Sequence, residues 1–165
     1  MEALELAMKM EQDGENFYRR LAEKATNIGF RDIFTQLAND EVKHLQLFQN
    51  INQLQNSFVK TEVFKNASKI FKRMIAEDIM KNLDSSQLDL YQEAMGLEKK
   101  SQKFYLEKAS ETFDENQRGL FRMIAAEEEE HYLLLHNISN WFLGRGHGLK
   151  MVSLPIWRII NKRAY

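Results

Sequence analysis

The chain has no cysteine among its 165 residues, which excludes disulfides, thiol nucleophiles, thiolate-bound zinc, iron–sulfur clusters and iron held by four thiolates. Any iron must be held by carboxylates, imidazoles or other non-sulfur groups. Proline occurs once and glycine seven times, and strand-like alternation of β-branched residues is scarce. Neither sign of charge dominates: 23 Lys and Arg face 24 Asp and Glu. Without the basic excess that neutralises phosphates, nucleic acid is not expected as a principal partner. No stretch approaches the roughly 18 consecutive apolar residues of a membrane span, and the N-terminus lacks the basic-then-apolar profile of a signal peptide. These absences lead us to expect a soluble, cytoplasmic, all-α chain.

What is present is amphipathic helix. With 44% apolar residues the chain is long enough to bury one sizeable core. Over residues 2–26, Ala7, Gly14, Leu21 and Ala25 share one helical face with Glu11 and Tyr18. The Thr26-Asn27-Ile28-Gly29 cluster reads as a C-cap and turn. Phe34, Leu37, Phe48 and Ile51 then form the stripe of a second helix ending near Asn56, interrupted by Glu41 and His44. Residues 57–85 read as a crossover carrying its own amphipathic helix, with Asn82 to Ser86 supplying caps for the next one. A third main helix spans about 86–110. A fourth opens at Asp114-Glu115-Asn116, with Phe121, Ile124, Leu135, Ile138 and Phe142 as its stripe and Glu128 and His131 interrupting it, and Gly144 to Gly148 stop it. Two short-looped hairpins joined by a long crossover describe the ferritin-like variant of the four-helix bundle. We therefore expect a bundle over residues 1–143, with halves at about 3–56 and 86–143, followed by an extension at 144–165.

The halves are copies of each other. Sliding the sequence by 87 residues without a gap aligns Glu11 with Glu98, Phe17-Tyr18 with Phe104-Tyr105, Phe34 with Phe121, Glu41 with Glu128 and His44 with His131. From Glu11 to Ile51 there are 12 identities in 41 positions, against roughly 3 expected from composition, so internal duplication is the better explanation. One Glu-x-x-His is ordinarily a solvated helix pair, and about 0.4 such motifs would arise here by chance. In this chain it occurs twice, each time with a glutamate 30 residues upstream, and all six positions lie on stripes that are otherwise apolar.

Six ionisable side chains aimed into a bundle core need compensation, because a buried carboxylate faces a desolvation penalty of several kcal/mol and four would repel one another. Two divalent cations balance four carboxylates and leave two neutral imidazoles as nitrogen donors. The i,i+3 spacing puts Glu and His on one helix surface, so that one residue can bridge two ions while the other caps one of them. A carboxylate–imidazole set without thiolate suits iron or manganese better than calcium, which takes oxygen ligands.

The segments from Met10 to Tyr18 and from Ile33 to His44, with their counterparts around Glu98 and Glu128, resemble the rubrerythrin family of ferritin-like di-iron proteins over about residues 3–142. The resemblance implies Glu11 and Glu98 as single-carboxylate ligands, Glu41 and Glu128 as bridging carboxylates, and His44 and His131 as terminal nitrogen ligands of two iron ions, with manganese or a mixed pair as the alternatives. Tyr18 and Tyr105, seven residues beyond Glu11 and Glu98, read either as donors to the ligand carboxylates or as aromatic core. Two departures stand out. Rubrerythrins proper carry a cysteine-ligated rubredoxin domain that this chain lacks, so an electron donor has to act in trans. Many also have a further ligand glutamate three residues after Glu98, where this chain has Ser101, whose repeat mate is Gly14. The implied activity is peroxide or O2 reduction in oxidative-stress defence by a protein resembling known homodimers. The rivals are ferroxidase activity and a non-catalytic scaffold that metal merely stabilises. No Ser/His/Asp or Cys/His arrangement suggests a hydrolase.

Of Glu127 to Glu130, Glu128 alone has both the repeat partner and the spacing to His131; Glu127 borders the inner stripe as an auxiliary ligand candidate, and Glu129 and Glu130 read as a solvated face. His136 is assigned to surface or packing. Residues 144–165 are basic and apolar at once. They read as a short helix from Pro155 docking on the bundle or on a second subunit, in preference to an interfacial segment for anionic lipid or an acidic redox partner.

Overall fold

The computed structural model describes residues 2–51, 62–77 and 87–145. It is all-helical there: α1 (Glu2–Lys24), α2 (Ile28–Gln49), α3 (Val63–Ala76), α4 (Gln87–Glu111) and α5 (Glu115–Arg145). The hairpins α1–α2 and α4–α5 are each packed along their length, and α3 crosses over to lie against α2 and α5. This is the ferritin-like bundle expected from the hydrophobic pattern.

The turns follow from capping chemistry. Asn27 is the N-cap of α2, its side-chain oxygen accepting from the backbone N–H of Gly29 at 2.8 Å and of Phe30 at 3.4 Å. Thr26 and Asn27 thus lie in the turn expected of the cluster, while Ile28 and Gly29 already belong to α2. Gly29 lies inside the first turn of α2 and is needed for closeness: a Cβ there would stand 2.2 Å from Met74 Sδ. Met74 of α3 is buried against that spot, so the glycine is what lets the crossover helix seat on the hairpin. Asp114 opens α5, accepting from the Gln117 N–H at 2.9 Å.

Other boundaries shift. α2 closes at Gln49, where the backbone N–H of Asn50 bonds Gln46 O, short of the end near Asn56 that the apolar stripe suggests. α5 continues through Gly144 to Arg145, because a glycine within a helical run weakens it without forcing a stop. The Asn82 to Ser86 caps and nearly all of the 144–165 extension lie outside the described residues. Among the described residues no helix is long and apolar enough to cross a membrane.

The core falls into two apolar clusters. One holds Leu21, Phe30, Phe34, Leu37, Tyr91 and Leu135, and the other Ala7, Phe48, Tyr105, Leu120, Phe121 and Ile124. Neither contains a charged side chain; the buried charges lie on the same helix faces, between them in sequence.

Candidate metal centre

All six side chains singled out by the repeat are buried together. Glu11 comes from α1, Glu41 and His44 from α2, Glu98 from α4, and Glu128 and His131 from α5, and none is more than 4% exposed. Ligand atoms of Glu11, Glu41, His44 and Glu128 lie within 4.8 Å of one another, as do those of Glu41, Glu98, Glu128 and His131. Glu41 and Glu128 belong to both groups. The i,i+3 spacing brings each glutamate beside its own histidine, and the bundle brings the two motifs face to face, with the imidazole rings stacked at 5.9 Å.

The arrangement fits a pair of metal ions. His44 Nδ1 stands 3.2 Å from Glu11 Oε2 and 3.4 Å from Glu128 Oε1. His131 Nδ1 is 3.6 Å from Glu128 Oε2 and 3.7 Å from Glu98 Oε2. Glu128 Oε1 and His131 Nδ1 are fully buried and make no hydrogen bond. Buried polar atoms are almost always satisfied; two lone-pair donors left unsatisfied and turned toward other ligands are what a cation between them would complete.

Two further carboxylates complete the histidine environments. His44 Nε2–H donates to Glu127 Oε2 at 2.9 Å, and His131 Nε2–H donates to Asp40 Oδ2 at 3.0 Å. With a proton fixed on Nε2, Nδ1 of each ring faces the cluster and would offer its lone pair to a cation there, and the carboxylate behind the ring raises its basicity. Asp40 was not anticipated from sequence. The signal was present nevertheless: Asp40 and Glu127 are related by the 87-residue repeat, each directly preceding the glutamate of a Glu-x-x-His. Asp40, His44 and Glu127 also form a close buried trio, and the direct His44–Glu127 hydrogen bond accounts for that contact without an ion.

Tyr18 and Tyr105 are fully buried in the aromatic core, stacked near Phe34 and Phe121 respectively. Each hydroxyl also reaches across to the other half, Tyr18 donating to Glu98 Oε1 and Tyr105 to Glu11 Oε1. The later residue of each helix meets the earlier residue of the other, so α1 and α4 run antiparallel. The carboxylates behind the histidines are exchanged in the same way: Glu127 supports His44 and Asp40 supports His131, each from the opposite hairpin.

Burial disfavours the charged form of every group here, and the metal-free cluster resolves this with protons. Burial, then the charges of Glu128 and Glu11, push Glu41 well above the usual carboxylate range. Burial, then the Glu128 charge, push Glu98 up to about 8. For Glu128 burial acts the same way, but the neighbouring Glu98 carboxyl and the His131 and His44 rings outweigh it and hold the carboxyl well below its ordinary value. Burial opposes protonation of His44, yet the Glu11 charge, the bonds to Glu11 and Glu127 and the nearby Glu128 hold it well above the usual imidazole range. His131 is raised likewise against burial by its hydrogen bond to Asp40 and by the facing Glu128 and Glu98 carboxyl groups. Protons thus occupy the place of positive charge at the centre.

Gly14, one turn beyond Glu11, supplies room: a Cβ there would come within 3.1 Å of Glu41 Oε2. Glu129 is exposed and Glu130 half-buried, while Glu127 is buried. His136 packs on the Tyr132 ring at 5.7 Å, away from the cluster.

No curated protein and no solved structure matches the chain. The Rubrerythrin family model does, over residues 2–139. That stretch includes every residue of the buried carboxylate–histidine cluster and both hairpins that carry it, and the chain belongs to the rubrerythrin family.

Proposed function

We propose that the protein is a non-haem di-iron oxidoreductase that reduces hydrogen peroxide or O2, with electrons delivered by an external donor. The observation that carries this reading is the pair of overlapping four-residue groups that share Glu41 and Glu128. Glu11 and His44 would complete one ion position and Glu98 and His131 the other, with Glu41 and Glu128 bridging. Two iron ions would supply two stored reducing equivalents and Lewis acidity toward the oxidant.

The protein's own groups do the rest. Asp40 and Glu127 hold protons on the outer nitrogens of His131 and His44, which keeps both rings neutral donors inward. Tyr18 and Tyr105 keep their phenol protons, because burial first and then the facing glutamate raise both hydroxyls; each O–H donates to a glutamate oxygen and fixes that carboxylate's orientation. The apolar clusters exclude bulk water, which strengthens every electrostatic contact inside. Reducing one peroxide to two waters consumes two electrons and two protons. Without cysteine the chain has no thiolate-bound iron to supply those electrons, hence a donor in trans.

A specific feature also favours ferroxidase chemistry as a second reading: Ser101 stands where a further ligand glutamate would make the centre resemble rubrerythrins proper, and its repeat mate Gly14 is small as well. Mixing anaerobic di-ferrous protein with peroxide separates the two. Rapid peroxide consumption, with both irons retained and re-reduced by an external donor, is the expected result. Iron turnover into a ferric product supports the ferroxidase, and iron that never changes oxidation state overturns both.

A further inference from the structure

Gly14 is buried in the interior of α1, where a glycine is a weak helix former and brings no side chain to the packing. The space beside it is not empty. A Cβ at this position would stand 3.1 Å from Glu41 Oε2, 3.2 Å from its Cδ and 3.4 Å from its Cγ. The whole carboxyl end of Glu41 therefore rests against bare α1 backbone. Glu41 is 4% exposed and has no solvent to retreat into. His44 Nδ1 stands 3.8 Å from its Oε2, and His131 Nδ1 3.8 Å from its Oε1. The repeat mate of Gly14 is Ser101, which carries a Cβ, and the other shared carboxylate is placed differently: Glu128 Oε1 and Oε2 approach the same two nitrogens at 3.4 and 3.6 Å.

Close-packed interiors yield little, and an added carbon that meets three atoms of one side chain moves that side chain as a unit. On the metal-binding reading above, we propose that Gly14 is the positioning residue of Glu41: the bare backbone of α1 sets where this shared carboxylate lies, and so whether two ions can be held at once. Each ion position would keep ligands of its own, Glu11 with His44 and Glu98 with His131, whereas the pair depends on the two carboxylates common to both groups. Displacing Glu41 from its place against α1 therefore weakens the second ion more than the first. Altering the groups that orient metal ligands lowers affinity by roughly 10–100-fold, and a single added carbon is expected at the lower end, about tenfold.

Manganese(II) tests this in the full chain, because two manganese ions joined by carboxylates give an exchange-coupled electron paramagnetic resonance spectrum and a lone ion does not. The unaltered protein with two equivalents per chain is expected to show the coupled spectrum. In Gly14→Ala the second ion is expected to bind about tenfold more weakly, so that the coupled spectrum develops only at higher manganese concentration. In Gly14→Val the coupled spectrum is lost while one ion is retained. Gly96→Ala makes the same change on the exposed side of α4, where an added Cβ meets nothing within 4 Å, and is expected to leave both ions bound as before. Circular dichroism verifies the helices, and Gly14→Ala carries the test alone if valine impairs folding. Unchanged second-ion affinity in Gly14→Ala, or an equal loss in Gly96→Ala, overturns the role of Gly14 alone. Failure of the unaltered protein to hold two coupled ions overturns the metal-binding reading together with it.

Discussion

At the residue scale, the six inward groups differ from ordinary buried charges in having partners assigned across the molecular pseudo-symmetry. Because Glu41 and Glu128 are common to both ligand groups, Glu41→Ala or Glu128→Ala is expected to abolish binding of two ions per chain, while the exposed Glu129→Ala leaves it intact. Metal content per chain after dialysis checks this, and equal losses in all three variants would remove the ligand assignment. Asp40→Asn and Glu127→Gln keep the shape of the side chain but weaken the acceptor behind each histidine. They are expected to lower ion affinity by about 10–100-fold without changing helix content, as read by competition with a chelator alongside circular dichroism. The six inward groups were legible in the sequence because spacing and repetition report which side chains share a helix face. Asp40 was not, since an acid beside an inward glutamate looks the same whether it meets solvent or the back of a ring on another helix.

At the element scale, α3 is the piece least determined by the bundle pattern. It is not part of the duplication, and it reaches the hairpins through Val63, Ala67 and Met74. Gly29 makes the Met74 contact possible. Gly29→Ala is therefore expected to force Met74 off its seat and to destabilise the protein by about 1–3 kcal/mol, the usual cost of overpacking a filled core. Denaturant titration measures the loss, and hydrogen exchange should show it concentrated in residues 63–76, with α1 and α4 little affected. The helix type and order were readable from periodicity. The ends were not: Ile51 continues the apolar stripe of α2 and is buried, yet the helix itself has already closed at Gln49. A stripe records burial, and burial continues past the last helical hydrogen bond.

At the scale of the whole molecule, the centre couples protonation, metal and fold. Glu98 is raised from 4.5 to about 8. A carboxyl raised in this way contributes stability that is fully present below its unfolded value and is lost as pH climbs toward the folded one, at about 1.4 kcal/mol per pH unit inside the window. Glu41, raised too, acts in the same direction. The two histidines, raised from 6.5, add their loss above that value. Glu128 is lowered, so its contribution disappears only on acidification below 4.5. The metal-free protein is thus expected to melt at progressively lower temperature from about pH 5 to about pH 8. Bound ions displace those protons, so the stabilisation they confer should grow over the same range. Thermal denaturation with a chelator and with added metal gives both curves, and a metal-free melting temperature that rises with pH would contradict the charge distribution described here.

By itself the sequence determined that this protein is helical, duplicated and built around six ionisable groups facing inward, because helical periodicity and an internal repeat are properties of a line of residues. Which half supports which ligand was decided only by the tertiary structure. Tyr18 to Glu98, Tyr105 to Glu11, Asp40 to His131 and Glu127 to His44 all join residues of different hairpins. Such pairings depend on the antiparallel register of α1 on α4 and on the facing of α2 and α5, and no spacing within one helix encodes them.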